Sequence, residues 1–252
     1  MNNAYRALWW REFVLYRRNF IGEGVLNLLL PLIFFLFLGM GFQQIVGKID
    51  GVAYFEFLIP GMVLLTIALS AFETTSWFYA TNRRNQQWQE VILMGDFPNK
   101  RSLFLSQILI GIVKSLFHGL VIFLITVFLS GASVSQINIQ AFLAFVLFTA
   151  IQFSALGHIV GLYVKPGPLL GRLVIFLIFP LFIVSGIGWN ISQYTPVFEK
   201  IIYWLPTYTL MHGTQSAFLK GVIQNFALIV TIVETGVIVG VAQLLTGTRD
   251  DV

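Results

Sequence analysis

Residues 115–164 of the chain read SLFHGLVIFLITVFLSGASVSQINIQAFLAFVLFTAIQFSALGHIVGLYV and contain no Asp, Glu, Lys or Arg. A polar break from Ser130 to Gln136 divides this run into two apolar halves. An α-helix rises about 1.5 Å per residue and the hydrocarbon core of a bilayer is about 30 Å thick, so about 20 apolar residues cross it once. The run therefore predicts two membrane-spanning helices joined at the break.

The composition of the whole chain agrees with a membrane location. Of its 252 residues, 57% are hydrophobic and 10% charged, whereas soluble domains carry about 25% charged residues. Cysteine is absent, which excludes disulfides, thiolate nucleophiles and Cys-ligated metals. The net charge of +4 comes from short basic clusters beside apolar spans, a pattern typical of orientation signals. We therefore expect the lipid bilayer, and not nucleic acid, as the partner of this surface.

Counting outward from the uncharged run predicts an all-α integral membrane protein with a single domain over residues 1–252 and six spanning helices. The predicted spans are helix 1 in the uncharged run between Glu23 and Lys48, ending near Gly41, helix 2 at Phe57–Ala80, helix 3 at Ser102–Leu129, helix 4 at Ile139–Val164, helix 5 at Leu173–Gly188 and helix 6 at Asn225–Leu245.

Three segments outside these spans have patterns of their own. Residues 4–20 mix aromatic and basic side chains at helical spacing, which predicts an interfacial helix on the cytoplasmic leaflet. Residues 82–101 form the most polar stretch and predict a cytoplasmic loop with a short amphipathic helix. Residues 189–221 are amphipathic and are broken by Pro196 and Pro206, so we expect short helices that dip into the outer leaflet.

Basic residues predict the orientation. Eleven Lys and Arg residues fall on the side of the termini and three on the other, which places both termini in the cytoplasm. The eleven are Arg6, Arg11, Arg17, Arg18, Arg83, Arg84, Lys100, Arg101, Lys165, Arg172 and Arg249, and the three are Lys48, Lys200 and Lys220.

Three motifs, taken together, resemble a known family. Residues 54–61 read YFEFLIPG, residues 88–98 read WQEVILMGDFP, and a Ser-Gly at residues 185–186 is followed by WLPTY at residues 204–208. In this order and spacing they resemble the ABC type-2 export permeases of the drug- and nodulation-factor-exporter branch, over nearly the whole chain. The chain departs from that family at Leu205, at residues 188–190 and at residues 213–215, all near the predicted outer gate.

The resemblance implies roles for three groups of residues. Those implied for coupling to an ATPase are Trp88, Glu90, Val91, Ile92, Leu93 and Pro98. Those implied for the gate in a re-entrant hairpin between helices 5 and 6 are Gly186, Pro206 and Tyr208. Those that open helix 2 are Tyr54, Phe57, Pro60 and Gly61.

Family membership also implies an assembly. The chain would be the permease subunit of an exporter in the inner (plasma) membrane, paired with a second copy of itself and with separate ABC ATP-binding subunits. The sequence has no Gly-x-x-x-x-Gly-Lys-Ser/Thr loop to bind phosphates. We therefore expect ATP and magnesium on the partner and no cofactor in this chain, and the exported molecule to be amphipathic or lipid-linked.

Three ionisable residues, Glu73, Lys114 and Glu234, fall inside the predicted spans. Each costs at least about 2.5 kcal/mol at a helix centre unless it is paired. We expect a structural ion pair of Lys114 with Glu73 or Glu234, with Glu73 favoured since helices 2 and 3 are consecutive; a proton relay or a substrate contact is the alternative. The three histidines lack metal-ligand spacing, so no metal site is expected.

Two small-residue patterns, Gly157-x-x-x-Gly161 and Gly236-x-x-x-Gly240, predict close helix packing within the bundle, with a dimer seam as the alternative. Two other function classes stay open at this point. A membrane-embedded lipid-modifying enzyme needs carboxylates or histidines clustered near one interface, and a secondary carrier or channel is typically built from inverted repeats. Neither pattern is visible in the sequence.

Overall fold

The computed structural model describes residues 3–84, 100–132, 135–191 and 194–248, which are almost entirely helical. The helices are α1 (Asn3–Arg18), α2 (Leu26–Val46), α3 (Tyr54–Arg84), α4 (Lys100–Ser130), α5 (Ile139–Tyr163), α6 (Pro168–Leu173), α7 (Phe179–Val184), α8 (Pro196–Ile202), α9 (Pro206–Leu219) and α10 (Asn225–Thr248). Two π-helical turns, Phe20–Val25 and Val174–Ile178, continue into α2 and α7, and a short antiparallel hairpin pairs β1 (Lys48–Ile49) with β2 (Val52–Ala53).

Five helical segments of the described residues are long and apolar enough to cross a bilayer, which confirms the predicted all-α membrane fold. They are Phe20–Val46, Tyr54–Asn82, Arg101–Ser130, Ile139–Tyr163 and Asn225–Thr246. A shorter apolar segment, Leu169–Val184, occupies the region of predicted helix 5. At 1.5 Å per residue this segment is about 24 Å long, shorter than the hydrocarbon core of about 30 Å. The count of six spans therefore stays a prediction.

Helix α3 lies at the centre of the bundle and contacts α2, α4 and α5. Its residues from Leu58 to Ala71 are almost all fully buried. Helix α5 approaches α3 closely because Gly157 and Gly161 have no Cβ. A Cβ at Gly157 would overlap the Thr75 hydroxyl, and one at Gly161 would lie 2.6 Å from the carbonyl oxygen of Ser76. These two glycines therefore pack within the bundle, as predicted.

The second small-residue pattern behaves differently. A Cβ at Gly236 or Gly240 would meet no atom within 4 Å, so the expectation that this pair packs inside the bundle is wrong. Both glycines lie on α10, several of whose large apolar side chains are exposed. The sequence pattern alone does not distinguish a glycine that faces a neighbouring helix from one that faces outward.

The two ends of the bundle differ. One end, here the hairpin end, carries the β1–β2 turn, where Asp50 and Gly51 both have positive φ, together with α8 and α9. The amide N–H of Asn138 at the start of α5 donates to the carbonyl oxygen of Ala217 in α9, which ties α9 to this end. The opposite end, here the loop end, carries α1 and the facing termini of α3 and α4. Whether α8 and α9 enter the membrane as a re-entrant hairpin stays a prediction.

Helix α1 runs alongside α4 with a matched register. Glu12 contacts Lys114 and Tyr16 contacts His118, and each pair is separated by 102 positions in the sequence. One helical turn along α1 therefore corresponds to one turn along α4, so the two helices are parallel here. The extent of α1 agrees with the predicted helix over residues 4–20, and its position on the membrane leaflet stays a prediction.

Candidate functional site

A cavity of about 400 Å³ lies among α1, the first π-helical turn, α2, α3 and α4. We call it the amino-terminal cavity. The described charged side chains that line it are three carboxylates and two cations, namely Glu12, Glu23, Glu73, Arg11 and Lys114. Its volume falls within the range of about 300–1,000 Å³ that is usual for small-molecule sites.

The cavity lies far from the hairpin end. Lys114 is about 24 Å along the helix axis from the end of α4 at Ser130, and Glu73 is about 28 Å from the start of α3 at Tyr54. Toward the loop end, Lys114 is about 20 Å from the start of its apolar span at Arg101, and Glu73 is about 14 Å from the end of its span at Asn82. The cavity therefore lies inside the apolar spans, in the half nearer the loop end.

Lys114 is the centre of the ion pairs in the cavity. Its Nζ lies 3.2 Å from Oε2 of Glu12 and 3.6 Å from Oε2 of Glu23. The side chains of Lys114 and Glu12 are 14% and 11% exposed, whereas that of Glu23 is 43% exposed. Arg11 approaches the other oxygen of Glu12 at 3.9 Å. Glu12 thus contacts two cations, and the Lys114 ammonium two carboxylates.

The structure corrects the expected partner of Lys114, which is Glu12 rather than Glu73 or Glu234. The depth of Glu73 is right, because it lines the same cavity. Helix α1, however, places the Glu12 carboxylate directly beside Lys114. The expected pairing considered only the depths of residues on α3 and α4, so it left α1 out. Glu234 lies outside this cavity and accepts a hydrogen bond from the Thr209 hydroxyl at 2.8 Å.

Glu73 differs from the other two carboxylates of the cavity. The Asn27 side chain lines the cavity with it. Among the side chains that the structure describes, no Lys, Arg or His nitrogen lies within 4.0 Å of the Glu73 carboxyl group. The ion pairs of the cavity are those of Lys114 with Glu12 and Glu23, and of Arg11 with Glu12. Glu73 is therefore the carboxylate of this cavity without a described cation beside it.

His118 connects three helices at the wall of the cavity. Its Nε2 lies 2.8 Å from the Tyr16 hydroxyl of α1, and its Nδ1 lies 2.6 Å from Oγ of Ser70 in α3. Burial, together with the negative charge of Glu23, raises the pKa of the Tyr16 hydroxyl above its usual range. Both nitrogens of His118 are thus occupied by protein groups, which indicates a structural role for this residue.

Sequence reasoning missed Glu12 and Tyr16. The aromatic and basic pattern of residues 4–20 predicts only an interfacial helix and assigns neither residue to a site. A signal was present, because Leu8, Glu12 and Tyr16 recur every four residues and so share one face of α1. Leu8 and Glu12 are 5% and 9% exposed, so the face that carries the acidic residue is the buried one.

The predicted gate residues lie at the hairpin end. Gly186 follows α7, adopts a φ of 91° and accepts a hydrogen bond from the Gln215 amide of α9 at 3.0 Å. Pro206 opens α9, and Tyr208 stacks on His212 with ring centroids 5.6 Å apart. A pocket of about 230 Å³ lies beside these residues. The gate role itself stays a prediction.

The predicted start of helix 2 contacts the same region. Tyr54 and Phe57 are buried in the first turns of α3, and Pro60 and Gly61 follow them. A Cβ at Gly61 would lie 2.5 Å from Cγ1 of Ile187. The glycine therefore allows the bend after α7 to lie against α3, so two of the three motifs of the sequence meet in space.

The third motif is not described. The predicted coupling residues lie outside the described part of the chain, between α3 and α4, and they are Trp88, Glu90, Val91, Ile92, Leu93 and Pro98. Within the described ranges no group of three or more His, Cys, Asp or Glu side chains could hold a metal ion. The absence of a resident metal stays a prediction for the whole chain.

The bundle of apolar helices, with a polar cavity in its interior, defines a multi-pass integral membrane protein. The family model described as ABC-2 type transporter matches residues 3–219. The chain belongs to the ABC-2 type transporter family, and it is a membrane transport permease.

Two relatives illustrate the similarity. The chain is 23% identical over 219 residues to the inner membrane transport permease YadH of Escherichia coli strain K12, a match that covers 86% of this chain and 83% of the relative. It is 27% identical over 207 residues to nodulation protein J of Sinorhizobium fredii, covering 79% of this chain and 75% of the relative.

Proposed function

We propose that this chain is the permease subunit of an ATP-driven exporter, in which two copies form the pathway and two separate ATP-binding subunits supply the energy. The observation that carries this proposal is the family match over residues 3–219. It takes in all three motifs, including residues 88–98 between α3 and α4. The exported molecule is amphipathic or lipid-linked.

The absence of a phosphate-binding loop from the sequence supports a separate ATPase. The location of the coupling motif supports a mechanism as well. Residues 85–99 connect the loop-end termini of α3 and α4, and α3 contacts most of the other long helices of the described bundle. A movement imposed on this loop by ATP-driven closure of the partner would therefore reach the centre of the bundle through α3.

We also propose that the loop end faces the cytoplasm and that the membrane is the inner (plasma) membrane. Eleven of the fourteen Lys and Arg residues outside the predicted spans support this orientation. The amino-terminal cavity then lies in the cytoplasmic half of the spans, and the hairpin-end pocket near the outer surface.

Purification of the tagged full-length chain from its native membranes tests the coupling proposal. We expect Mg·ATP hydrolysis to co-purify with the chain and ATP to drive export into proteoliposomes. In the Glu90→Ala variant we expect the co-purified ATPase activity per mole of chain to fall about tenfold, which corresponds to about 1.4 kcal/mol of lost attachment. Insertion into the membrane should not change, because the substitution exposes no polar group to lipid.

The neighbouring Gln89→Ala variant is the matched control, since it lies in the same loop and should retain the activity. The proposal fails if no ATPase activity accompanies the wild-type chain. The role of Glu90 fails if its variant behaves like Gln89→Ala.

A further inference from the structure

The described charged side chains of the amino-terminal cavity are three carboxylates and two cations. Lys114 lies beside Glu12 and Glu23, and Arg11 lies beside Glu12. The carboxyl group of Glu73 has no described cation within 4.0 Å, and the neutral Asn27 side chain lines the cavity with it. A carboxylate within a helical span is costly unless it is partnered. A cationic occupant would supply that partner.

The walls of the cavity favour an organic cation. The rings of Tyr16, Trp77 and Phe78 line it, and aromatic faces attract cations through the ring quadrupole. The protein's own cations use two of these rings, since Lys114 Nζ lies 5.5 Å from the Tyr16 centroid and Arg11 lies 5.8 Å from that of Phe78. Trp77, one helical turn from Glu73 on α3, has no described cation over it.

The location selects an amphipathic molecule. The cavity lies about 24–28 Å along the helices from the hairpin end and about 14–20 Å from the loop ends of the same apolar spans, so it is inside the spans. Beside the cavity, the part of α4 around Lys114 exposes the apolar side chains of Val113 and Phe117. A molecule that lies in the leaflet can place its polar end in the cavity while its apolar part stays in lipid.

We infer that the amino-terminal cavity binds the protonated amine of an amphipathic molecule, with Glu73 as the anionic partner and Trp77 as the aromatic wall. That this amine belongs to the transported molecule rests on the proposed function. The binding itself requires only the chain.

Decylamine is a suitable probe, with decanol and decanoate as matched molecules of the same chain length. The full-length chain is placed in lipid nanodiscs, and binding of radiolabelled decylamine is measured by scintillation proximity, with empty nanodiscs subtracted. We expect saturable binding of decylamine, and we expect decanol and decanoate to compete at least about tenfold more weakly, because decanol brings no positive charge to the carboxylate and decanoate brings a negative one.

Variants of the two membrane glutamates make the test specific. Glu73→Gln should weaken decylamine binding at least about tenfold, and Glu73→Asp should retain it within about threefold. Glu234→Gln is the matched control, because Glu234 also lies in an apolar span but outside the cavity, and it should bind like the wild type. If Glu73→Gln does not fold, the ranking of the three probes on the wild-type chain decides.

Any of three results would overturn the inference. The first is equal binding of decylamine and decanol, and the second is an equal loss of decylamine binding in Glu73→Gln and Glu234→Gln. The third is displacement of decylamine by equimolar Na⁺, which would indicate a site for an inorganic cation. The assay contains neither ATP nor a partner subunit. A failure here therefore leaves the coupling experiment intact, and a failure of coupling leaves the binding result intact.

Discussion

Removal of the Lys114 ammonium is expected to destabilise the protein more than any other single charge change in the amino-terminal cavity. In Lys114→Met, Glu12 stays 11% exposed without its nearest cation. Glu12 and Glu23 both contact the same nitrogen, at 3.2 and 3.6 Å, so their oxygens lie no more than about 7 Å apart. At an effective dielectric constant of about 20, two such charges repel by about 2 kcal/mol.

Breaking a buried pair by removing one partner typically costs about 3–5 kcal/mol, and the repulsion of about 2 kcal/mol between Glu12 and Glu23 is part of that cost in Lys114→Met. Glu12→Gln should cost less, about 1–2 kcal/mol, because Glu23 still compensates Lys114. The double variant Glu12→Gln/Lys114→Met should be more stable than Lys114→Met alone, with a coupling energy of at least about 1 kcal/mol. Unfolding by SDS titration in mixed micelles, followed by tryptophan fluorescence, measures each value.

Two controls accompany this cycle. The Lys220–Asp50 pair is 3.5 Å apart and its side chains are 57% and 46% exposed, so Lys220→Met should cost less than about 1 kcal/mol. The same cycle with Glu73→Gln in place of Glu12→Gln should give a smaller coupling energy, because Glu73 lines the same cavity but does not lie within 4.0 Å of the Lys114 nitrogen. The assignment of Glu12 is refuted if the Glu12 cycle is additive, or if Glu73 couples to Lys114 as strongly as Glu12 does.

Two further predictions concern packing and orientation. Gly157→Val should destabilise the bundle by at least about 2 kcal/mol in the same titration, because its Cβ would overlap the backbone of α3. Gly236→Val lies in open space and should change stability by less than about 0.5 kcal/mol. Similar effects of the two variants would contradict the packing described. Because the chain has no cysteine, single cysteines in Gln136→Cys and Lys165→Cys, both at exposed positions, can report the topology. An impermeant thiol reagent added to intact cells should label only the Gln136→Cys variant. Labelling of the Lys165→Cys variant would contradict the proposed orientation of the chain.

The apolar spans could be predicted from the sequence because their signal is local. The polar break at residues 130–136 coincides with the end of α4 at Ser130 and precedes the start of α5 at Ile139. The limits of the other spans were less well predicted. Helix α2 continues to Val46 rather than ending near Gly41, and α3 begins at Tyr54 rather than Phe57, because polar residues near the membrane surface continue a helix without interrupting its hydrogen bonds.

The partner of Lys114 could not be predicted in the same way. The depths of Glu73 on α3 and Lys114 on α4 correctly place both in one cavity. Which carboxylate contacts Lys114, however, depends on how α1, 102 residues earlier in the chain, is aligned with α4. Nothing in the periodicity of either segment specifies that alignment. The three motifs raise the same problem, since YFEFLIPG and the Ser-Gly bend meet only because Gly61 leaves room for Ile187.

The matched register of α1 and α4 has a mechanical consequence. Glu12 and Tyr16 hold α4 at Lys114 and His118, and about 21 Å of α4 extends from Lys114 to Lys100 at the loop end. That extension is packed as well, because Leu103 and Ile110 of α4 are buried in one cluster with Leu8 of α1 and Phe78 of α3. Leu8 and Ile110 are again 102 positions apart, so they continue the register of Glu12 with Lys114. A displacement of the Lys100 end would therefore have to move α1 and the loop end of α3 together with α4, as one unit.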